Sequence, residues 1–229
     1  MEPDAPRQNL AIRAYRKLKH DIIRGRFAPE QKLLMSRLKD DYGVSTGPLR
    51  EALSQLVADH LVVAISQRGY RVAPMSLAEL NDIYDARAQL EGLILRLAIE
   101  RGDDDWEAAV LAAAHRLAKV TAISSPDELL DGWDLRHKAF HTAIASGCNS
   151  PHLLQMRDTL FNQVERYRHL WLQETVMSPT ALEQKRQEHA TLVDVILARD
   201  ADRASTLMRD HLMTPVPIIT RVLKARGIE

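Results

Sequence analysis

Four residues, Tyr42-Gly43-Val44-Ser45, constrain the N-terminal third of this chain more than any other feature. They separate two short helical patterns. The first is Arg37–Tyr42, with Ser36 placed to cap it. The second runs from Thr46 to about Asp59, with Ser45 placed to cap it and Pro48 tolerated in its first turn. A joint of three or four residues that holds a glycine and one apolar residue is the helix-turn-helix pattern. An apolar stripe of Ile12, Tyr15, Leu18, Ile22 and Ile23 predicts a preceding helix over Ala11–Gly25, and Phe27–Leu34 reads as a connector containing Pro29. After His60 the period changes. The β-branched run Leu61–Ile65, the turn signal Ser66-Gln67-Arg68-Gly69 and the second run Tyr70–Ala73, ended by Pro74, predict a hairpin. A helix-turn-helix followed by a hairpin is a winged helix.

From Ser76 onward the pattern is helical. Ser76-Leu77-Ala78-Glu79 has the form of a capping box, and the helix it opens runs to about Arg101. Further helices are expected over Trp106–Thr121, Asp127–Ser146, Pro151–Val176, Pro179–Arg199 and Ala201–Met213, with a short last one over Ile218–Arg226. The expected fold is therefore mainly α: an N-terminal winged helix-turn-helix over residues 1–74, then an all-α bundle over 75–229.

Charge divides at the same place. Net charge is zero over 229 residues, yet residues 1–74 carry 13 Lys/Arg against 8 Asp/Glu, and the remainder carries 18 against 23. A basic head on an acidic body points to two domains with different partners, nucleic acid among them. An apolar content of 45% argues against disorder. No run approaches the length of a membrane span, and Met1–Leu10 lacks the apolar core of a secretory signal. Cys148 is the only cysteine, which fits a reducing cytoplasm and is read as inert.

Ser45-Thr46-Gly47-Pro48-Leu49-Arg50-Glu51-Ala52-Leu53, between Tyr42-Gly43-Val44 and Gly69-Tyr70-Arg71-Val72, resembles the GntR family of bacterial transcription regulators. The rest of the chain resembles the FadR subfamily's all-helical effector domain, the FCD domain. The resemblance implies a cytoplasmic homodimer bound to double-stranded operator DNA, with the helix at Ser45 in the major groove. Arg50 has the reach for a guanine edge or a phosphate. Ser45, Thr46 and the amides of that helix start suit phosphate oxygens. Arg68 and Gly69 fall at the wing tip, and Arg37 completes the expected DNA-contacting set. The chain departs from the family at Ser36 and Thr46, where arginine is usual, so an operator sequence cannot be carried over. The other reading leaves Ser45 as a cap and Arg50 paired with Glu51 or Asp40.

His137 and His141 are four residues apart and share one helical face. His189 and His211 lie on two later helices. The resemblance implies that His141, His189 and His211 hold a divalent metal inside the bundle. His137 stands where the family has aspartate, and Asp134, one turn earlier, is a possible substitute or supporting ligand. Imidazole in that place suits Zn²⁺ or Ni²⁺ over Ca²⁺ or Mg²⁺. The alternative is a set of buried, hydrogen-bonded histidines without metal. Arg87 is similar to the arginine that this subfamily aims into its cavity, where it would take an effector carboxylate. Its competing role is a salt bridge to Glu91. Arg166 and Arg136 are further expected effector contacts, Arg136 the weaker because it points off the His137 face. Arg168 is a third candidate cation, and Trp133, Tyr167 and Trp171 read as packing.

A narrower similarity lies in Lys32–Ser36, Gly47–Leu56, Trp133–His141 and Arg166-Tyr167-Arg168. It is to repressors of an operon for glutarate, 2-hydroxyglutarate and 4-aminobutyrate breakdown. It implies repression and a small carboxylate effector such as glutarate or 2-hydroxyglutarate. The rival classes are an activator of the same architecture, a ligand-binding protein with a degenerate DNA head, and a metal-dependent enzyme. Against the enzyme, the chain has no His-Glu-x-x-His motif and no nucleophile elbow.

Overall fold

The computed structural model describes the chain from Ala5 to Glu229 apart from residues 67, 126–127 and 176–177, and apart from the side chains of residues 5–9, 130–131 and 173–175. Gln67, Pro126, Asp127 and Val176, which fall in the expected turn, break and helix ends, therefore lie outside the described residues. The chain forms two compact units. One is Met1–Ser76 with Asn162–His169, and the other is Leu77–Phe161 with Leu170–Glu229.

In the first unit α1 (Ala5–Ile23), α2 (Met35–Tyr42) and α3 (Thr46–Ala58) enclose a core of Leu18, Ile22, Leu38, Leu49, Leu53 and Leu56. Gly43 ends α2 in the left-handed conformation, φ +62°, and its N–H donates to the Lys39 carbonyl. That conformation is cheap for glycine alone, and it swings the chain so that Val44 enters the core and α3 starts in a new direction. The strands β1 (Lys32–Leu33), β2 (Val62–Ile65) and β3 (Gly69–Val72) form an antiparallel sheet in the order β1-β3-β2. Val62 pairs with Val72, and Lys32 with Arg71. β1 corrects the expectation of a plain connector over Phe27–Leu34. Two residues are too few to show alternation, and the strand exists because β3 offers it an edge. Two caps also differ from expectation. Leu34, not Ser36, is the residue before α2, and Ser45 precedes α3 without a hydrogen bond from its side chain.

The Asn162–His169 stretch belongs to this unit through polar bonds. Asn162 donates to Asp59 at 3.3 Å and accepts from Lys19 at 2.7 Å, while Arg166 donates to the carbonyls of Ala73 and Pro74 at 2.6 Å each.

The second unit is helical: α4 (Leu77–Arg101), α5 (Asp104–Ala118), α6 (Leu135–Ser146), α7 (Pro151–Thr175, less the stretch above), α8 (Pro179–Leu197), α9 (Ala201–Met213) and α10 (Val216–Ala225). Its core includes Leu80, Tyr84, Leu95, Val110, Phe140, Ile144, Ile196 and Ile219. α4 and α9 approach closely at Gly92, where a Cβ would stand 2.9 Å from Ser205 Oγ and 3.0 Å from Arg209 Cγ. Asp103 caps α5 by accepting the Trp106 N–H. The expected helix Asp127–Ser146 is divided in the structure. Glu128–Asp134 winds as a π-helix before α6 takes over at Leu135. Such wider turns occur disproportionately at functional sites, and this one ends with Trp133 stacked on His137 at 4.5 Å.

Candidate metal centre and nucleic-acid interface

α6 supplies His137 and His141 from one face, α8 supplies His189 and α9 supplies His211. All four are buried, and each offers a donor atom within 4.8 Å of the others. The Nε2 atoms of His137 and His141 are 3.1 Å apart. Two imidazoles bound about 2.1 Å from one zinc ion, at angles of about 90–110°, place their nitrogens roughly 3.0–3.4 Å apart. His141 Nδ1 is buried with no hydrogen-bond partner among the described residues.

Protonation favours the same use. Burial pushes the His141 pKa well below 6.5, and the neighbouring His211, His189, Arg87 and Arg157 push it further down. His211 is also lowered, by burial first, although Glu188 opposes this. Both rings are therefore neutral at pH 7 and keep a lone pair for a cation. Lys185 Nζ donates to Glu188 Oε2 at 2.6 Å and to Thr214 Oγ1 at 2.7 Å, and it lies over the Trp171 ring at 5.4 Å. Burial raises the Glu188 pKa, but the hydrogen bonds from His211 and Lys185 outweigh it and hold this carboxylate below its usual range. The donor set fits a borderline cation bound through nitrogen. Asp134 is outside it: its carboxylate pairs with Lys138 at 3.0 Å and is not among the converging donors.

The cations divide differently from expectation. Arg87 is buried, 3.5 Å from Glu91 and over the Phe161 ring at 5.1 Å. The competing salt bridge is thus formed, although it is long. Arg157, which sequence reasoning missed, donates from Nε to Glu91 Oε2 at 2.9 Å and is buried. It lies on a helix face with no neighbouring motif, and its partner is 66 residues away in the chain. Arg136 is a correction: it is exposed and donates to the Arg116 carbonyl, because its place beside His137 turns it off the cluster face. Arg166 is another. Both ends of its guanidinium go to backbone carbonyls of the first unit. Arg168 is buried beside Glu165 at 3.9 Å in that unit.

In the first unit Ser45 and Thr46 are exposed at the start of α3, and Arg50 is exposed one turn further on. The first amides of a helix have no partner within it and carry partial positive charge, so this end attracts phosphate. Arg37 is exposed on α2, 3.9 Å from Asp41. The Arg68 N–H donates to the Ile65 carbonyl at the wing tip, and Gly69 follows with φ +88°. Arg68 and Gly69 are both exposed.

Residues 10–72 match the bacterial regulatory proteins of the gntR family, and residues 82–214 match the FCD domain. The chain is 56% identical over 213 residues to the HTH-type transcriptional repressor GlaR of Escherichia coli (strain K12), covering 93% of this chain and 97% of that protein. It is 36% identical to BphR, an uncharacterised HTH-type transcriptional regulator of Paraburkholderia xenovorans (strain LB400), over 95% of this chain and 88% of that one. Among solved structures, E. coli McbR/YncC has a TM-score of 0.73 at 20% identity, over 93% and 97% of the two chains, which speaks to the fold. An exposed recognition helix and wing, carried on the same chain as an FCD domain with a buried histidine cluster, are the parts of a DNA-binding transcription regulator, and the chain belongs to the gntR family of bacterial regulatory proteins.

Proposed function

We propose that this regulator is a homodimeric repressor whose hold on its operator is released by a small carboxylate bound beside a metal site. The observation that carries the reading is the convergence of His137, His141, His189 and His211 next to the buried cations Arg87 and Arg157. Repression is inferred from the printed name of GlaR and the 56% identity to it. The metal is inferred to be Zn²⁺ or Ni²⁺, since four imidazoles discriminate against Ca²⁺ and Mg²⁺. Such an ion, held by these histidines, would supply positive charge that attracts a carboxylate.

Arg87 orients the effector, for which glutarate and 2-hydroxyglutarate are the first candidates. Ser45, Thr46, Arg37, Arg68 and Gly69 position the protein on phosphates, and Arg50 reads a base edge or a phosphate. Two copies related by a two-fold axis address half-sites about one helical turn apart. Release requires that the effector bind the two dimer geometries with different affinity, typically by about 1–3 kcal/mol. The cytoplasm, where the operator lies, is the place of action.

The test is a fluorescence-anisotropy titration of the protein's own upstream DNA, with metal content measured on the same preparation. Tight, salt-sensitive binding weakened by glutarate or 2-hydroxyglutarate supports the whole reading. Binding indifferent to both removes the dicarboxylate and leaves the DNA-binding function. A preparation without stoichiometric metal, even after loading, removes the metal site.

A further inference from the structure

α1 carries a basic stripe outside the expected DNA-contacting set. Arg13, Arg16, Lys17 and His20 recur at helical spacing within an arc of about 100°, and all four are exposed. Ala14, Leu18 and Ile22, on the other side of the same helix, are buried in the core that α1 shares with Leu49, Leu53 and Leu56 of α3. Asp21 is the only acidic residue of α1, and it is already engaged. It pairs with Arg26 at 2.7 Å, lies 3.5 Å from His20 and accepts the Tyr42 hydroxyl at 2.6 Å. Asp41 stands 3.4 Å from Arg26 and 3.9 Å from Arg37. Among the described residues, Arg13, Arg16 and Lys17 form no ion pair.

Arg16, Lys17 and His20 line an open groove of about 490 Å³, together with Arg26 and the carboxylates of Asp21 and Asp41. The groove reaches Tyr42 at the end of α2. Ser45 follows three residues later, and three trans peptide units span at most about 11 Å. The groove therefore adjoins the start of α3, within the same compact unit. Arg13 and Lys17 are separated by about 6 Å along the helix axis. Closely spaced cations on one line suit a polyanion, and duplex DNA carries one charge per roughly 1.7 Å of its axis.

We infer that Arg13, Arg16 and Lys17, with the groove they border, bind the phosphate backbone of duplex DNA beside the bases that α3 reads. This rests on the reading of the first unit as the DNA-binding head. The contact is to phosphates alone, so it adds affinity and fixes orientation on any sequence, while discrimination stays with α3. Asp21 and Asp41 hold Arg26 back in the groove wall, which leaves the α1 side chains as the cations presented outward.

The test measures binding of full-length protein to its own upstream DNA and to a random duplex by fluorescence anisotropy over a salt series. The double variant Arg16→Ala/Lys17→Ala is compared with wild type. Both residues are exposed, so the melting temperature should hold. The double variant is expected to weaken binding to both duplexes by the same factor, severalfold at least. Its plot of log affinity against log salt should be shallower by about 1 for each residue lost, hence roughly 2 per protomer. The swap Arg16→Lys/Lys17→Arg keeps both charges and should keep the slope. Arg221→Ala/Lys224→Ala removes two exposed cations from α10 and controls for net charge alone. An unchanged slope in the α1 double variant, a loss confined to the upstream DNA, or an equal change in the α10 control overturns the inference. If wild type binds upstream and random DNA equally, the operator reading fails for that DNA, and the slopes on the random duplex still decide this one. If the alanine variant does not fold, Arg16→Gln/Lys17→Gln removes the charges with longer side chains and is read the same way.

Discussion

Glu188 Oε2 lies 2.8 Å from His211 Nδ1, and this contact decides which nitrogen of the ring is available to the cluster. An ionised carboxylate accepts the Nδ1–H, so the lone pair sits on Nε2. Lys185 and Thr214 hold the carboxylate in turn. Replacing Glu188 by alanine is expected to weaken metal affinity by about 10–100-fold, and replacing it by glutamine by less. Competition against a chelating dye measures it. Equal affinity in all three proteins would mean that His211 is not a ligand.

Arg50 is exposed on α3, so its loss leaves no hole in the core. Arg50→Ala should leave the melting temperature unchanged and cost about 1–3 kcal/mol of operator affinity. The effect separates two roles. Loss confined to the operator marks a base contact, and equal loss on random DNA with a shallower salt dependence marks a phosphate contact.

The pKa values of His141 and His211 are lowered in the fold, chiefly by burial. In the unfolded chain they return to about 6.5. Below that pH the unfolded state binds protons that the folded state refuses, so stability is fully present above 6.5 and is lost as pH falls toward the depressed folded values. Metal-stripped protein should show a lower denaturation midpoint at pH 5.5 than at 7.5. Glu188, whose pKa is also lowered, adds its own loss only below about 4.5. A flat profile between 5.5 and 7.5 would contradict burial of neutral rings.

Gly147 closes α6 against Trp106. A Cβ there would stand 2.6 Å from the indole Cε2 and Nε1, and the indole is pinned by hydrogen bonds to the carbonyls of Ala143 and Ile144. Gly147→Ala should destabilise the second unit by about 1–3 kcal/mol, an overpacking cost read from its unfolding midpoint. Gly92→Ala should cost less, since the atoms it meets belong to the side chains of Ser205 and Arg209, which can turn away.

Much of the candidate site was legible because it is written in local spacing. His137 and His141 share a face by virtue of four residues of helix, and the start of α3 is announced by Gly43 and Pro48. The neighbours that tune the histidines were not legible. Arg157 carries no mark that separates it from Arg166, nine residues later on the same helix. One is turned to Glu91 and the other to the backbone of Ala73 and Pro74. Arg136, the weaker candidate because it points off the His137 face, is turned by the helix toward Arg116.

The sequence by itself determined the order of the winged helix and the long helices and put His137 and His141 on one face, because periodicity, caps and turn glycines act over a few residues; His189 and His211 were joined to that pair only through the family resemblance. The tertiary structure alone decided that Glu91 faces two arginines, that Asp134 pairs with Lys138 and not with the cluster, and that Lys32–Leu33 is a strand. The physical reason is reach. A long cationic side chain has several carboxylates and carbonyls within its grasp, and only the packing of helices distant in sequence settles which one it meets. A two-residue strand likewise has no existence apart from the edge it joins.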